Sequence, residues 1–143
     1  QSNRERYEGF CQALTDAGKK VDSSLCLTTP LGIDTYREEI DTFLSSLSRM
    51  PDAFVCASDY VACILMQLLE KRGLRVPEDV AVSGFDNNTE DLLAEHLTTV
   101  QVFNEELGAR LALQILYRIK YPNTPHEVTY LGTNVLYRDS TGD

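Results

Sequence analysis

At 143 residues the chain is about one domain long, enough for a genuine core without disulfides or a metal to compensate for smallness. Its composition, 43% apolar and 24% charged with 8 Gly and 5 Pro, is that of an ordinary globular protein and excludes a disordered or fibrous one. Lys and Arg number 13 against 22 Asp and Glu, and the net charge of −9 argues against nucleic acid held on this surface and against a peripheral membrane role.

Ser2 and Glu5 have capping-box spacing, and Tyr7, Phe10, Cys11 and Leu14 recur at helical intervals until Gly18, which predicts a first amphipathic helix. Val21 to Thr29 reads as a strand, with Leu25 and Leu27 alternating against their neighbours and Pro30 and Gly32 ending it. Thr35 and Glu38 repeat the capping box, and Tyr36, Ile40, Phe43, Leu44 and Leu47 draw the apolar face of a second helix. Asp52 to Ala57 is a nearly continuous apolar run, as expected of a strand buried on both faces of a parallel sheet. The third helix starts at Ser58 and Asp59, carries Val61, Ile64, Leu65, Leu68 and Leu69, and ends at Lys71, Arg72 and Gly73. Val80 to Phe85 is another buried-type strand, followed by a loop over 86–98 with a short helical turn at Asp91–Ala94.

Asn104 to Lys120 is the longest helical pattern. Leu107, Leu111 and Ile115 fill one stripe and Ala109, Leu113 and Leu116 another, and a helix apolar on two sides expects cover on two sides. Val128 to Arg138 is rich in β-forming residues, with Gly132 marking a bend between two short strands. The alternation of strands and helices predicts an α/β fold, a Rossmann-like three-layer αβα arrangement with a mainly parallel sheet.

In such sheets ligands bind outside the carboxyl ends of the strands. Those ends carry Thr28-Thr29, Ser58-Asp59 and Asp86-Asn87-Asn88, short polar side chains suited to a neutral hydroxylated ligand. Ser58 and Asp59 serve equally well as helix caps, whereas no recognisable helix directly follows Asp86, which favours a binding role. Arg6, near the amino end of a helix, is poorly matched to the helix dipole; a site contact or a solvated ion pair explains it.

Catalytic constellations are thin. His96 and His126 fall in loops, no G-x-S-x-G elbow, dinucleotide fingerprint or phosphate loop occurs, and the paired carboxylates sit at helix starts or turns. Asn87-Asn88-Thr89 matches a glycosylation acceptor, a signal too short to weigh. Cys11, Cys26, Cys56 and Cys63 form no CxxC pattern, which argues against zinc, and reduced thiols suit a cytoplasmic compartment. Neither a metal nor a cofactor is expected. No charged leader opens the chain and no apolar stretch approaches the roughly 18 residues of a membrane span.

Four stretches together resemble a known family. They are Arg6-Tyr7-Glu8-Gly9-Phe10 with Ala13, Leu14 and Gly18; Ser58-Asp59 through Gly73-Leu74-Arg75-Val76-Pro77-Glu78-Asp79-Val80-Ala81-Val82-Ser83-Gly84-Phe85-Asp86; Leu97-Thr98-Thr99-Val100 with Glu106-Leu107-Gly108; and Leu136 with Arg138, Ser140 and Thr141. In this order and spacing they resemble the effector-binding domain of the LacI/GalR repressors, which shares its fold with periplasmic sugar-binding proteins. The resemblance implies a ligand-sensing fragment of a transcriptional repressor, not an enzyme, whose effector is a sugar or nucleoside-like molecule. Arg6 matches a ligand-touching arginine, Ser58 stands where an effector-contacting Asn is common, and Asp86 matches the carboxylate that holds hydroxyls. The loop near Ile33 and Asp34 falls where the family often places an aromatic over the ligand; here none stands there, and Tyr36 substitutes only if the loop is shifted.

By the same resemblance, residues 1–97 and 126–143 form most of a carboxyl-terminal lobe, and 98–125 cross over to pack on the amino-terminal lobe. That lobe and a helix-turn-helix headpiece, the only part that would touch DNA, are expected before Gln1. Without them the 104–120 helix is orphaned, either folding back on its own lobe or pairing with a second molecule, and ligand binding by this piece is weak or absent. A homodimer through the helix spanning Cys63 to Gln67 and the loop after Asp86 is the tamer expectation. The rival reading is a transport binding protein of the same fold.

Overall fold

The computed structural model describes residues 2–29, 32, 34–88 and 92–142. Gln1, Pro30, Ile33, Thr89 and Asp91 lie outside the described residues, so the readings placed on them have no structural counterpart here.

Helix α1 spans Ser2–Asp16, α2 Tyr36–Ser46, α3 Asp59–Lys71 and α4 Asn104–Lys120; the strands are β1 Ala53–Val55, β2 Ala81–Ser83, β3 Thr99–Gln101 and β4 Asn134–Leu136. Helix α3 starts as its sequence dictates: Ser58 is the N-cap, its hydroxyl oxygen accepting from the Val61 amide at 3.4 Å. Its stop is Gly73, whose φ of +74° is a left-handed closure that a side chain would resist. Helix α2 begins without the expected capping box, because the Thr35 hydroxyl bonds Glu39 one residue beyond Glu38 and makes no cap bond to the backbone.

β1 and β2 run parallel, with Ala53, Phe54 and Val55 opposite Ala81, Val82 and Ser83. Parallel bridges at Ser83–Thr98 and Asp86–Gln101 carry the pairing on to β3, and β4 returns antiparallel beside it, Thr99 facing Leu136. The order is therefore β1-β2-β3-β4, mainly parallel, with α2 and α3 packed together and α3 against β2.

The core is built chiefly by α3. Ala62, Cys63, Ile64, Leu65, Leu68 and Leu69 meet Ile40 and Leu44 from α2, Val80 and Val82 beside and within β2, and Leu97 ahead of β3. Since Cys63, Ile64 and Leu65 are consumed in this core, a dimer through α3 has only the other side of that helix to offer.

Three expectations are corrected. The stretch Val21–Thr29 is not a strand. Asp22 accepts from the Ser24 amide and hydroxyl at 3.0 and 2.6 Å and a 3₁₀ turn forms over Ser23–Leu25, so a local side-chain bond displaces the ladder. With that neighbour unpaired, β1 is not buried on both faces, and Val55 remains 63% exposed. In the closing segment only Asn134–Leu136 is strand, whereas Val128 and Tyr130 stand exposed.

Helix α4 occupies its predicted span but contributes no buried residue; Leu111, Leu113, Leu116 and Ile119 are each more than 60% exposed. It does not fold back on the lobe. Its stripe of Leu111, Ile115 and Ile119, edged by Gln114 and Arg118, is an open apolar surface.

Beyond α3, Arg75 grips Asp79 through its backbone N–H and Nε to Oδ2, both at 2.9 Å, and Nη2 to Oδ1 at 3.0 Å. These bonds hold the Asp79 carboxyl down to about 2. A carboxyl lowered by folding stabilises above its unfolded pKa, roughly 4, and loses that contribution as pH falls toward 2. Asp79→Asn is therefore expected to lower the near-neutral melting temperature modestly, because the pair is exposed, and to flatten its fall between about pH 4 and 2 by the same amount. Thermal melts across that range check it.

Candidate functional site

The carboxyl ends of β1 and β2 bring Ala57-Ser58 and Phe85-Asp86 to one edge of the sheet, and α1 lays Arg6 across it. The Arg6 guanidinium lies 3.7 Å from the centre of the Phe85 ring, donates through Nη1 to the Ala57 carbonyl, and reaches Asp86 Oδ1 through Nη2 at 3.3 Å. Stacking on an aromatic face favours a cation and fixes the plane of its donors. The guanidinium is thus pre-oriented by a carbonyl at the end of β1 and by a ring and a carboxylate on consecutive residues after β2.

Asp86 is partly exposed, 41% at the side chain, and among the described residues none hydrogen-bonds its second oxygen. Burial pushes its carboxyl above the ordinary range, Arg6 pulls it back, and the nearby charge of Asp59 adds to the upward push. A carboxylate with one oxygen on a fixed guanidinium and the other available can accept from adjacent hydroxyls, while remaining guanidinium N–H groups donate to their oxygens.

Of the four predicted contacts, Arg6 and Asp86 touch each other, and Ser58 follows Ala57, the residue whose carbonyl receives Arg6. Ser58 also makes its capping bond to the Val61 amide. Asp34 is exposed in the turn before α2, and none of the contacts joining the other three reaches it. Tyr36 stands edge-on to Tyr60, ring centres 5.6 Å apart, so the aromatic surface at this edge lies at the amino ends of α2 and α3; Tyr60 is 57% exposed.

Asp59, weighed as a ligand anchor or a helix cap, is neither a free anchor nor the cap. It is 2% exposed, with Oδ1 accepting from the Thr99 hydroxyl at 2.6 Å and Oδ2 from the Asn88 amide at 2.7 Å. Phe85 was not singled out as a partner of Arg6; its position beside Asp86 at a strand end was the available signal. His96 lies on the surface, Nδ1 2.7 Å from Asp139, remote in chemistry from the Arg6–Asp86 pair. Among the described residues no group of three or more His, Cys, Asp or Glu could hold a metal ion, and no helix is long and apolar enough to cross a membrane.

The closing signature acts on the scaffold beneath. Ser140 Oγ donates to the Val82 carbonyl at 2.6 Å and accepts from the Thr98 amide at 2.8 Å; Arg138 donates to the Leu97 carbonyl at 2.9 Å and to Asn87 Oδ1 at 2.8 Å.

Residues 1–141 match a periplasmic binding protein-like domain. The transcriptional regulator CelR of Thermobifida fusca is 34% identical over 142 residues, covering 95% of this chain and 40% of that protein. DegA, a transcriptional regulator of Bacillus subtilis, is 35% identical over 107 residues, covering 74% of this chain and 31% of that protein. A solved complex of the regulator CelR with cellobiose superposes with a TM-score of 0.84 at 31% identity, covering 95% of this chain and 42% of that one. The chain thus spans about a third to two fifths of the relatives it matches.

Proposed function

Because the chain belongs to the family of periplasmic binding protein-like domains, in the form carried by LacI/GalR-type transcriptional regulators, we propose that it is the effector-sensing carboxyl-terminal lobe of such a repressor. Arg6, Asp34, Ser58 and Asp86 contact the effector, Asp34 from the turn before α2, and the effector is a neutral hydroxylated molecule, a sugar or a nucleoside-like compound. The observation that carries this is the Arg6–Asp86 pair seated on Phe85 at the carboxyl edge of the sheet. The cellobiose in the solved CelR complex is a ligand of the same chemistry. The transport alternative is disfavoured, since the matched relatives are transcriptional regulators. The protein is not an enzyme and works in the cytoplasm.

Residues up to Gln101, which ends β3 in the lobe's own sheet, and those from 126 onward form the lobe, and the residues between carry α4 onto a second lobe, so the crossover starts a few residues later than position 98. The apolar faces of α4, uncovered here, support this assignment. Effector bound between two lobes favours one of their relative orientations, a population shift that requires different affinity for the two states and that paired DNA-binding headpieces read out. Dimerisation brings those headpieces together.

Isothermal calorimetry of the full-length protein against mono- and disaccharides and nucleosides tests the reading. A saturable signal with one of them, lost on removing the first lobe, is expected; silence across the panel from a folded, DNA-binding protein overturns the effector class. The lobe assignment has its own check. Leu111→Lys with Ile119→Lys is expected to leave the stability of this chain within about 0.5 kcal/mol, as exposed substitutions do, and to lower the melting temperature of the full-length protein clearly. An equal, small effect in both overturns it.

A further inference from the structure

Asp86 and its successor Asn87 both adopt left-handed backbone, φ +111° and +55°, although neither is glycine. Such conformations persist only when the surroundings over-determine them. Here three successive amides are held from one side. The Asp86 N–H donates to the Val100 carbonyl at 2.9 Å, the Asn87 N–H to Thr99 Oγ1 at 3.3 Å, and the Asn88 N–H to Asp59 Oδ2 at 2.7 Å. Thr99 in turn donates its hydroxyl proton to Asp59 Oδ1, so both oxygens of one buried carboxylate serve the same loop.

Other reasons for a buried acid at this point are weak. The N-cap of α3 is Ser58, not Asp59. No ion pair of Asp59 exists among the described residues, and an acid taken out of water without a counterion is costly to keep. Room has nevertheless been made for it. A Cβ on Gly84 would meet Asp59 Oδ1 at 2.2 Å and its Cα at 3.1 Å, so the strand lacks a side chain where the carboxylate lies.

We infer that Asp59 is a positioning residue: with Thr99 it clamps the 86–88 loop in its left-handed path and thereby sets the Asp86 carboxylate against Arg6, without touching the effector itself. The inference rests on the reading of Asp86 as an effector contact, but the clamp can be tested apart from it.

Asp59→Asn in the full-length protein exchanges one acceptor oxygen for a donor. Hydrogen exchange followed residue by residue should show the Asn87 and Asn88 amides losing protection by about tenfold or more, while the Leu68 and Leu69 amides of α3 keep theirs. Calorimetry with cellobiose and adenosine as probes should show affinity falling in parallel for whichever binds the wild type. Unchanged protection at Asn88, protection lost equally throughout α3, or lost loop protection with unaltered affinity each overturns the inference. If neither probe binds wild type, the effector reading fails on its own account, and the exchange result still decides the clamp. Should Asp59→Asn not fold, Thr99→Val removes the acceptor of the Asn87 amide and the donor to Asp59 Oδ1, and is held to the same outcomes with protection read at Asn87.

Discussion

Asp86→Asn is expected to abolish useful effector binding by the full-length protein while leaving its fold intact. The substitution keeps the size of the side chain and its tolerance of a left-handed backbone, which alanine would not. What it removes is the negative charge opposite Arg6 and one of the acceptor oxygens offered to hydroxyls. Loss of a charge-assisted contact in a part-buried site costs roughly 2–4 kcal/mol, about 30- to 1,000-fold in dissociation constant. Stability should move the other way. The Asp86 carboxyl is raised by folding, chiefly by burial, so its ionised form is disfavoured in the native state. A raised acid gives its stabilisation below its unfolded pKa and withdraws it as pH rises through the folded value, so at neutral pH the wild-type charge is a burden. Calorimetry should therefore show lost affinity, and thermal melts at pH 7 an unchanged or slightly higher midpoint. A variant that binds normally would remove Asp86 from the site.

Leu69→Ala should be the most damaging single truncation. Leu69 has no exposed surface, and its side chain lies in the one cluster that joins α2, α3, β2 and the start of β3. Deleting buried methyl groups there costs about 2–5 kcal/mol, including the cavity left behind. Against the roughly 5–15 kcal/mol that holds a typical domain together, that is a large fraction. Urea unfolding should show the midpoint falling sharply with little change in slope. Leu113→Ala, on the 64% exposed side of α4, is the control and should stay within about 0.5 kcal/mol in this chain. Equal effects at the two positions would mean that α4 is covered in solution.

The two leucines also mark what could be read in the linear chain. Periodicity located α3 and α4 because each repeats its apolar residues over several turns, and the Ser58 and Gly73 signals closed the ends of α3. It could not say which apolar face finds a partner: Leu69 and Leu113 look alike in pattern, and only tertiary packing separates them. Val21–Thr29 failed for the opposite reason. Its alternation is genuine but short, and the Asp22-Ser23-Ser24 turn offers the backbone a nearer partner than a neighbouring strand. At the site, the carboxyl-edge rule and the family resemblance led to Arg6, Ser58 and Asp86. The pairing of Arg6 with Asp86 spans most of a lobe, so no spacing argument could reach it. Asp59 reads equally as a ligand anchor or a helix cap in the linear chain, because the groups that occupy its two oxygens, Thr99 and Asn88, come from distant parts of it.

Because β3 and β4 lie side by side and antiparallel, the chain leaves the sheet after Gln101 and re-enters it at Asn134 at adjacent points of one ladder. Everything between, α4 included, is topologically an excursion from a hairpin. For the ladder its length matters only through closure entropy: shortening it roughly eightfold would lower the cost of bringing its ends together by about 2 kcal/mol. A two-residue Asn-Gly turn could bridge such ends directly. The same ladder therefore holds the junction whatever the length of the excursion between its ends.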